Sequence, residues 1–153
     1  MDLLLLGDGY TAAERSKFEA DAKRVLNVLF ATSPFKERRN DFNVWGLVPP
    51  SRESGISRPS LGIHRANPVG STYDAFGSER YVLSFHNKAF RRLASFAPYD
   101  VVEIVVNGRT YGGWYRHVAP RELEIMGAGL LCKTTYAGCV ELSVARSVLE
   151  DFL

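Results

Sequence analysis

Four consecutive leucines near the start of the chain limit its fold more than any other feature. Residues 3–6 are all leucine, and Gly7 and Gly9 follow at once. A short apolar run bounded by glycine is typical of a strand buried on both faces of a sheet. We therefore expect this segment to be a central strand, and we expect the chain to begin inside a domain.

A helix is predicted directly after this strand. Thr11 and Glu14 have the spacing of a capping box, in which each residue satisfies the other's free backbone amide. Apolar residues then recur at helical spacing and form one stripe, at Phe18, Ala22, Val25, Leu26 and Leu29. Pro34 restricts the residue before it, so the helix should end near Thr32.

The later segments alternate between strand and helix patterns. Strands are predicted at 43–48, 79–83 and 101–106, a helix capped by Asn87 ends before Pro98, and 51–71 reads as a long loop. Alternation of this kind predicts an α/β or α+β fold, a mixed sheet with helices packed on it. In the C-terminal part, 121–126 and 140–152 have weak helical patterns, separated by glycines at 127, 129 and 138.

Composition excludes several classes of protein. The 153 residues amount to one domain, and a net charge of +2 gives no reason to expect a nucleic acid partner. The first residues lack the basic start and the length of a signal peptide, and no run is long enough to span a membrane. Cys132 and Cys139 are the only cysteines, and neither belongs to a Cys-x-x-Cys pair.

The turn after the first strand matches a nucleotide-binding pattern, Gly-x-Gly-x-x-Ala over residues 7–12. Asp8 and the bulky Tyr10 disfavour a pyrophosphate there, and the second strand ends without an acid to hold a ribose. A lipase-like Gly-Asp-Ser site fails because Gly9 has no hydroxyl. The simplest interpretation is a tight structural turn, in which Asp8 accepts backbone amides at the helix start.

No zinc motif is present in the sequence. The histidines are His64, His86 and His117, and none has a partner four residues away. A zinc peptidase requires two imidazoles on one helix face with a glutamate between them. We therefore predict no metal-ligating and no catalytic residue in this chain.

Several blocks of sequence, taken together, form a recognisable pattern. The first is Leu-Leu-Gly-Asp-Gly-Tyr-Thr at 5–11, and the last is Arg-Thr-Tyr-Gly-Gly at 109–113. Between them lie further blocks at 17–18, 21–22, 34–36, 42–45, 50–51, 53–55, 76–81, 97–100 and 101–107. In order and spacing, these blocks resemble the IgA-peptidase-type zinc metallopeptidases (peptidase family M-64).

The resemblance implies a metzincin-like catalytic domain, a zinc cofactor in the intact protein, a protein or peptide substrate, and secretion or display at the cell surface. It also implies that Tyr111, Gly112 and Gly113 lie near the substrate. The chain would then consist of the N-terminal part of a catalytic domain, 1–113, and a divergent, irregular tail, 114–153.

The family pattern continues with Gly-Gly-Ile and later His-Glu-x-x-His, and this sequence departs from it after Gly113. Residues 113–115, Gly-Trp-Tyr, can be encoded GGG TGG TAT. If translation starts one base later, the same bases give GGT GGT and then an isoleucine codon, which is the Gly-Gly-Ile of the family. We therefore expect a tail translated out of frame and a chain that is inactive as given. The alternatives are a non-catalytic peptide-binding relative and, third, a nucleotide-binding α/β protein.

Overall fold

A computed structural model describes residues 1–79 and 81–110 in full and the backbone of two short strands beyond them. The strands are β1 (Asp2–Asp8), β2 (Asn43–Leu47), β3 (Ser71–Thr72), β4 (Leu83–Ser84), β5 (Val101–Val106), β6 (Cys132–Thr134) and β7 (Leu142–Val144). The helices are α1 (Arg15–Phe30) and α2 (Asn87–Ala94).

The main sheet has five strands in the order β6-β5-β1-β2-β7. Strand β1 pairs in parallel with β2 on one side and with β5 on the other, so that Leu4 lies between Trp45 and Val102. Strand β6 is parallel to β5, whereas β7 runs antiparallel to β2. The leucine run is therefore the middle of the sheet, as predicted, and the fold is a mixed α/β arrangement.

Helix α1 covers one face of this sheet. Leu3 and Leu5 point into this layer together with Val105, and they pack against buried residues of the helix. Phe18 is fully buried and contacts the ring of Tyr10 edge-on at 6.2 Å between centroids. The predicted helical stripe is thus the face that forms this core.

The opposite face is covered by the long loop, the β3–β4 hairpin and α2. Leu6, Ile104 and Val106 come from the sheet, and the covering residues are Val69, Tyr73 and Val82, with Phe90 and Leu93 of α2 packed against them. Because both faces are covered, the strand needs no polar alternation, which explains the uninterrupted leucines.

The start of α1 has the predicted capping box. The amide and the hydroxyl of Thr11 both donate to one oxygen of Glu14, each at 3.0 Å. A single 3-10 turn at Ala12–Glu14 precedes the α-helix, which ends at Phe30, two residues before the predicted end at Thr32.

Three predicted elements are placed differently in the structure. The predicted strand at 79–83 is wrong: Glu79 lies in a turn closed by a hydrogen bond from the Tyr81 amide to Ser78, and only Leu83–Ser84 pairs, with β3. Asn87 is the first residue of α2 and His86 is its cap. The prediction of a helix over 140–152 is wrong at Leu142–Val144, because these residues form β7 and pair with β2.

Other predictions for the tail cannot be compared with the structure. The helix at 121–126 and Cys139 lie outside the described residues, as do most positions of the predicted irregular tail. Of the described helices, neither is long and apolar enough to cross a membrane.

Candidate functional site at the carboxyl edge of the sheet

The carboxyl ends of β1, β2 and β5 meet at one edge of the sheet, because these three strands are parallel. In open α/β sheets, ligands bind in the crevice outside this edge. Three segments leave the edge here: the turn after Asp8, the loop that begins at Val48, and residues 107–110 after β5. They carry the polar groups described below.

Asp8 is a fully buried carboxylate at the end of β1. It accepts the backbone amides of Val69 at 3.0 Å and Ser71 at 2.8 Å, and the side-chain amide of Asn67 at 3.3 Å. Burial raises the pKa of Asp8, and these donors oppose that rise. The carboxylate therefore anchors residues 67–71 to the sheet.

This geometry corrects the sequence interpretation of Asp8. The residue does accept backbone amides, but they come from the long loop, about 60 residues away, and not from the start of α1. The loop also covers Gly9, whose carbonyl accepts the amide of Gly55 at 2.7 Å. A Cβ built on Gly9 would lie 2.7 Å from the Gly55 oxygen, so the turn has no room for a pyrophosphate.

A second polar group, which we call the Glu14 cluster, joins α1 to the end of β5. It consists of Glu14, Lys17, Ser54 and Asn107. The Ser54 hydroxyl donates to Glu14 at 2.7 Å, and the Asn107 amide donates to Glu14 at 3.2 Å and to Ser54 at 3.0 Å. Lys17 donates to the Asn107 oxygen at 3.1 Å. The cluster fixes the position at which the chain leaves β5.

The Glu14 cluster was not predicted from the sequence. Glu14 was assigned only its capping role, because its other partners, Ser54 and Asn107, lie 40 and 93 residues away along the chain. Burial lowers the pKa of Lys17, the charge of Glu14 opposes that change, and the positive charge of Arg109 adds to it. Asn107, in an Asn-Gly pair of the type that marks turns, was the one available signal for this site.

Glu14→Gln is expected to lower stability by about 1–2 kcal/mol at neutral pH, because charge-assisted hydrogen bonds are lost. Burial alone raises the pKa of Glu14, but the bonds from Thr11, Ser54 and Asn107 outweigh it and hold the pKa below 4.5. A lowered pKa contributes stability above pH 4.5 that disappears as pH falls through the folded-state value. Urea unfolding should therefore show the difference between the two proteins shrinking below pH 4.5; a constant difference contradicts this assignment.

Residues 108–110 are held by a third group, the Tyr73 clamp, formed by Arg58, Tyr73 and Thr110. The Tyr73 hydroxyl donates to the Thr110 carbonyl at 3.2 Å, and Arg58 donates to the Thr110 hydroxyl at 3.0 Å. The guanidinium of Arg58 lies 5.5 Å from the centre of the Tyr73 ring. Backbone and side chain of Thr110 are thus both fixed.

Gly108 permits the close approach of Tyr73. A Cβ at this position would lie 2.1 Å from the tyrosine hydroxyl oxygen but 3.1 Å from the nearest ring carbon. Gly108→Ala should therefore cost about 1–3 kcal/mol by overpacking. Tyr73→Phe removes the hydroxyl, so the double variant should lose less stability than the sum of the two single variants. Chemical unfolding of all four proteins measures this coupling, and strict additivity contradicts the contact.

The residues predicted to contact substrate, Tyr111, Gly112 and Gly113, lie outside the described residues. What the structure shows is the segment that leads to them: 107–110 is fixed by the Glu14 cluster and by the Tyr73 clamp. The prediction for the three residues remains a prediction.

The described histidines are not brought together. His64 and His86 are both exposed, and the ring of His86 lies against Gly70. His117 lies outside the described residues. Within 1–79 and 81–110, no group of three or more His, Cys, Asp or Glu side chains has an arrangement that could hold a metal ion. The described side chains therefore do not fit a catalytic zinc, which requires three protein ligands.

Comparison with known proteins identifies the family. A family model described as IgA Peptidase M64 matches residues 1–118, which includes the whole carboxyl edge described above. A search of curated proteins finds no match for the chain. Because the matched range covers well over half of the sequence, the chain belongs to the IgA Peptidase M64 family.

Proposed function

We propose that this chain is the N-terminal part of a zinc-dependent metalloendopeptidase domain which, as its sequence stands, binds no catalytic zinc and hydrolyses no peptide bond. One observation carries the proposal: a peptidase family matches residues 1–118, yet the whole sequence contains no His-Glu-x-x-His. The family name supports hydrolysis of proteins, and secretion or cell-surface display is proposed on the same ground.

The part of the site that this chain retains is the one that contacts the peptide. In an intact member of the family, a bound zinc would polarise the substrate carbonyl and lower the pKa of the water it holds. Here the Glu14 cluster and the Tyr73 clamp fix residues 107–110, which directly precede Tyr111 in the sequence. Gly112 and Gly113 lack side chains and so permit a peptide backbone to approach closely. We propose that these three residues contact the peptide substrate.

The genetic code restricts the frameshift hypothesis. If the gene is translated one base later, a His-Glu pair can arise only where the given sequence has Ser, Pro, Thr or Ala followed by Arg. In 114–153 only Pro120-Arg121-Glu122 and Ala145-Arg146-Ser147 satisfy the condition. From these two positions, the last histidine of His-Glu-x-x-His would have to begin within the codon for Glu124 or Leu149. No codon for glutamate or leucine permits this.

Reading two bases later gives no His-Glu pair in 114–153. That frame needs Met or Thr followed by Asn, Lys, Ser or Arg, and the sequence lacks such a pair there. A zinc motif restored by a single shift after Gly113 must therefore lie beyond the codon of Leu153.

Sequencing the gene from the codon of Gly112 to well past that of Leu153 separates the two main hypotheses. A frame that reads Gly-Gly-Ile and, further on, His-Glu-x-x-His supports a disabled zinc peptidase. If no frame reads so, the frameshift is rejected, and the non-catalytic peptide-binding relative becomes the better description.

Purified protein is expected to contain well under one zinc per chain after dialysis and to show no chelator-sensitive cleavage of casein. The physical reason is the lack of paired histidines at helical spacing. Atomic emission measures the metal, and a zinc metallopeptidase assayed in parallel confirms that the assay detects activity. Stoichiometric zinc with cleavage abolished by a chelator contradicts the proposal.

The nucleotide-binding alternative has little structural support, since Gly55 covers the turn at Gly9. A thermal shift assay with NAD and ATP checks it. We expect no change in melting temperature with either nucleotide, and a concentration-dependent rise would revive this alternative.

A further inference from the structure

Two phenylalanines lie outside both cores and contact each other on the surface. Phe76 is 76% exposed and Phe85 is 55% exposed. Their rings meet edge-on, with centroids 6.2 Å apart and an interplanar angle of 83°. Single exposed apolar residues are ordinary, whereas exposed apolar residues that cluster are a common feature of interaction sites.

The backbone at Phe76 is strained. Asp74 has φ 60° and Phe76 has φ 56°, and both are left-handed conformations that side chains other than glycine rarely adopt. Each costs about 1 kcal/mol or more, and such strain concentrates at functional positions. The Asp74 carboxylate accepts the amide of Ser60 at 2.9 Å, which holds the turn in place. The loop thus maintains an unfavourable conformation that leaves Phe76 exposed.

Positive charge follows Phe85 closely in the sequence. Helix α2 begins two residues after Phe85, and its exposed Lys88, Arg91 and Arg92 lie within about 8 Å along the helix axis. Helix α2 carries no acidic residue, and its other face packs on the core through Phe90. The exposed surface is therefore aromatic at one end and cationic along the helix.

We propose that Phe76, Phe85, Lys88, Arg91 and Arg92, which we call the Phe76 surface, dock an acidic polypeptide segment that carries a large apolar side chain. Aromatic residues and arginine are the types enriched at the centres of protein interfaces. The apolar side chain packs on the ring pair, and its acidic neighbours face the three cations.

A narrow polypeptide fits this surface better than a flat or highly charged partner. Glu79, three residues from Phe76, is largely exposed, and it would face the phosphates of an anionic bilayer or a nucleic acid covering the whole patch. A polypeptide segment can instead place its apolar side chain at the ring pair and its acidic residues at α2, so it need not present negative charge at Glu79. The surface depends neither on zinc nor on the reading frame of the tail.

Fluorescence anisotropy with the full chain tests the proposal. The probe is a labelled peptide with a central Leu-Phe pair flanked on both sides by glutamates. It should bind about tenfold more tightly than the same peptide with glutamine for glutamate, or with serine for Leu-Phe, and added salt should weaken it. Equal binding of all three peptides, or no binding, overturns the proposal.

Variants assign the binding to the surface. Phe76→Asn introduces a residue type that tolerates the left-handed backbone, so the variant should fold normally. Its affinity for the peptide should fall about thirtyfold. Changing Lys88, Arg91 and Arg92 to glutamine should weaken binding at least tenfold. The controls are Leu61→Ser, at another exposed apolar residue, and a triple glutamine variant of the exposed Arg15, Lys36 and Arg52.

Both controls should bind like the unmodified chain. Controls that lose as much affinity as the Phe76 surface variants contradict the assignment. Two further results also overturn it: binding to phosphatidylglycerol vesicles or single-stranded DNA in place of the peptide, and self-association that Phe76→Asn abolishes.

Discussion

Asp8→Ala is expected to destabilise the chain by about 3–5 kcal/mol, the largest effect of any single substitution considered. The change removes the acceptor for two backbone amides and one side-chain amide, all in a fully buried position. Each buried donor left without a partner costs about 1–3 kcal/mol. The free energy of unfolding of a domain of this size is about 5–15 kcal/mol in total, so the variant should be close to unfolding at room temperature.

Urea unfolding of a graded series measures this effect. Asp8→Asn keeps one carbonyl oxygen as an acceptor and should lose less than Asp8→Ala. Asn67→Ala removes one of the donors to Asp8, together with the bond from the same amide to the Ser71 carbonyl at 3.1 Å. It should cost about 1–2 kcal/mol, so it gives a value even if Asp8→Ala does not fold. If Asp8→Ala and Asn67→Ala unfold at the same urea concentration, Asp8 is not the anchor of residues 67–71.

Gly9→Ala should cost about 2–4 kcal/mol. At φ 82° an alanine pays about 1–2 kcal/mol for the left-handed backbone alone. Its Cβ would also lie 2.7 Å from the Gly55 carbonyl oxygen and from a methyl of Ile56, and a backbone atom cannot move aside cheaply. The loop should therefore detach from the turn as the chain accommodates the methyl group.

Gly62→Ala is a matched control, because Gly62 has φ 67° and an added Cβ there meets no atom within 4 Å. This variant has the conformational cost alone, so the difference between the two variants isolates the contact of Gly9 with Gly55. Thermal or urea unfolding of both provides that difference. Equal losses would falsify the claim that the loop packs on this turn.

Local patterns were enough to predict the centre of the fold. Strand β1 was predicted from its four leucines and β5 from five apolar residues interrupted only by Glu103. Helix α1 was predicted from its stripe and the Thr11–Glu14 box. Each of these signals lies within one element. The strand predicted at 79–83 failed because two residues of pairing, Leu83–Ser84, leave almost no alternation to detect.

The site was less predictable, because its contacts join distant parts of the chain. Asp8 was singled out, but its donors at Val69 and Ser71 follow no spacing rule. The Glu14 cluster has the same origin, since Asn107 reaches Glu14 only after the sheet has formed. Tyr111, Gly112 and Gly113 came from the family resemblance, and no physical signal in the sequence identified them independently.

The order of strands in the sheet has a consequence for synthesis on the ribosome. Strand β1 is made first, yet one of its two neighbours, β5, is about 100 residues further along. At about 5–20 residues per second, the leucines of β1 lack that neighbour for about 5–20 s. During this interval the nascent chain exposes an apolar strand edge, so a chaperone that shields such segments should increase the yield of folded protein.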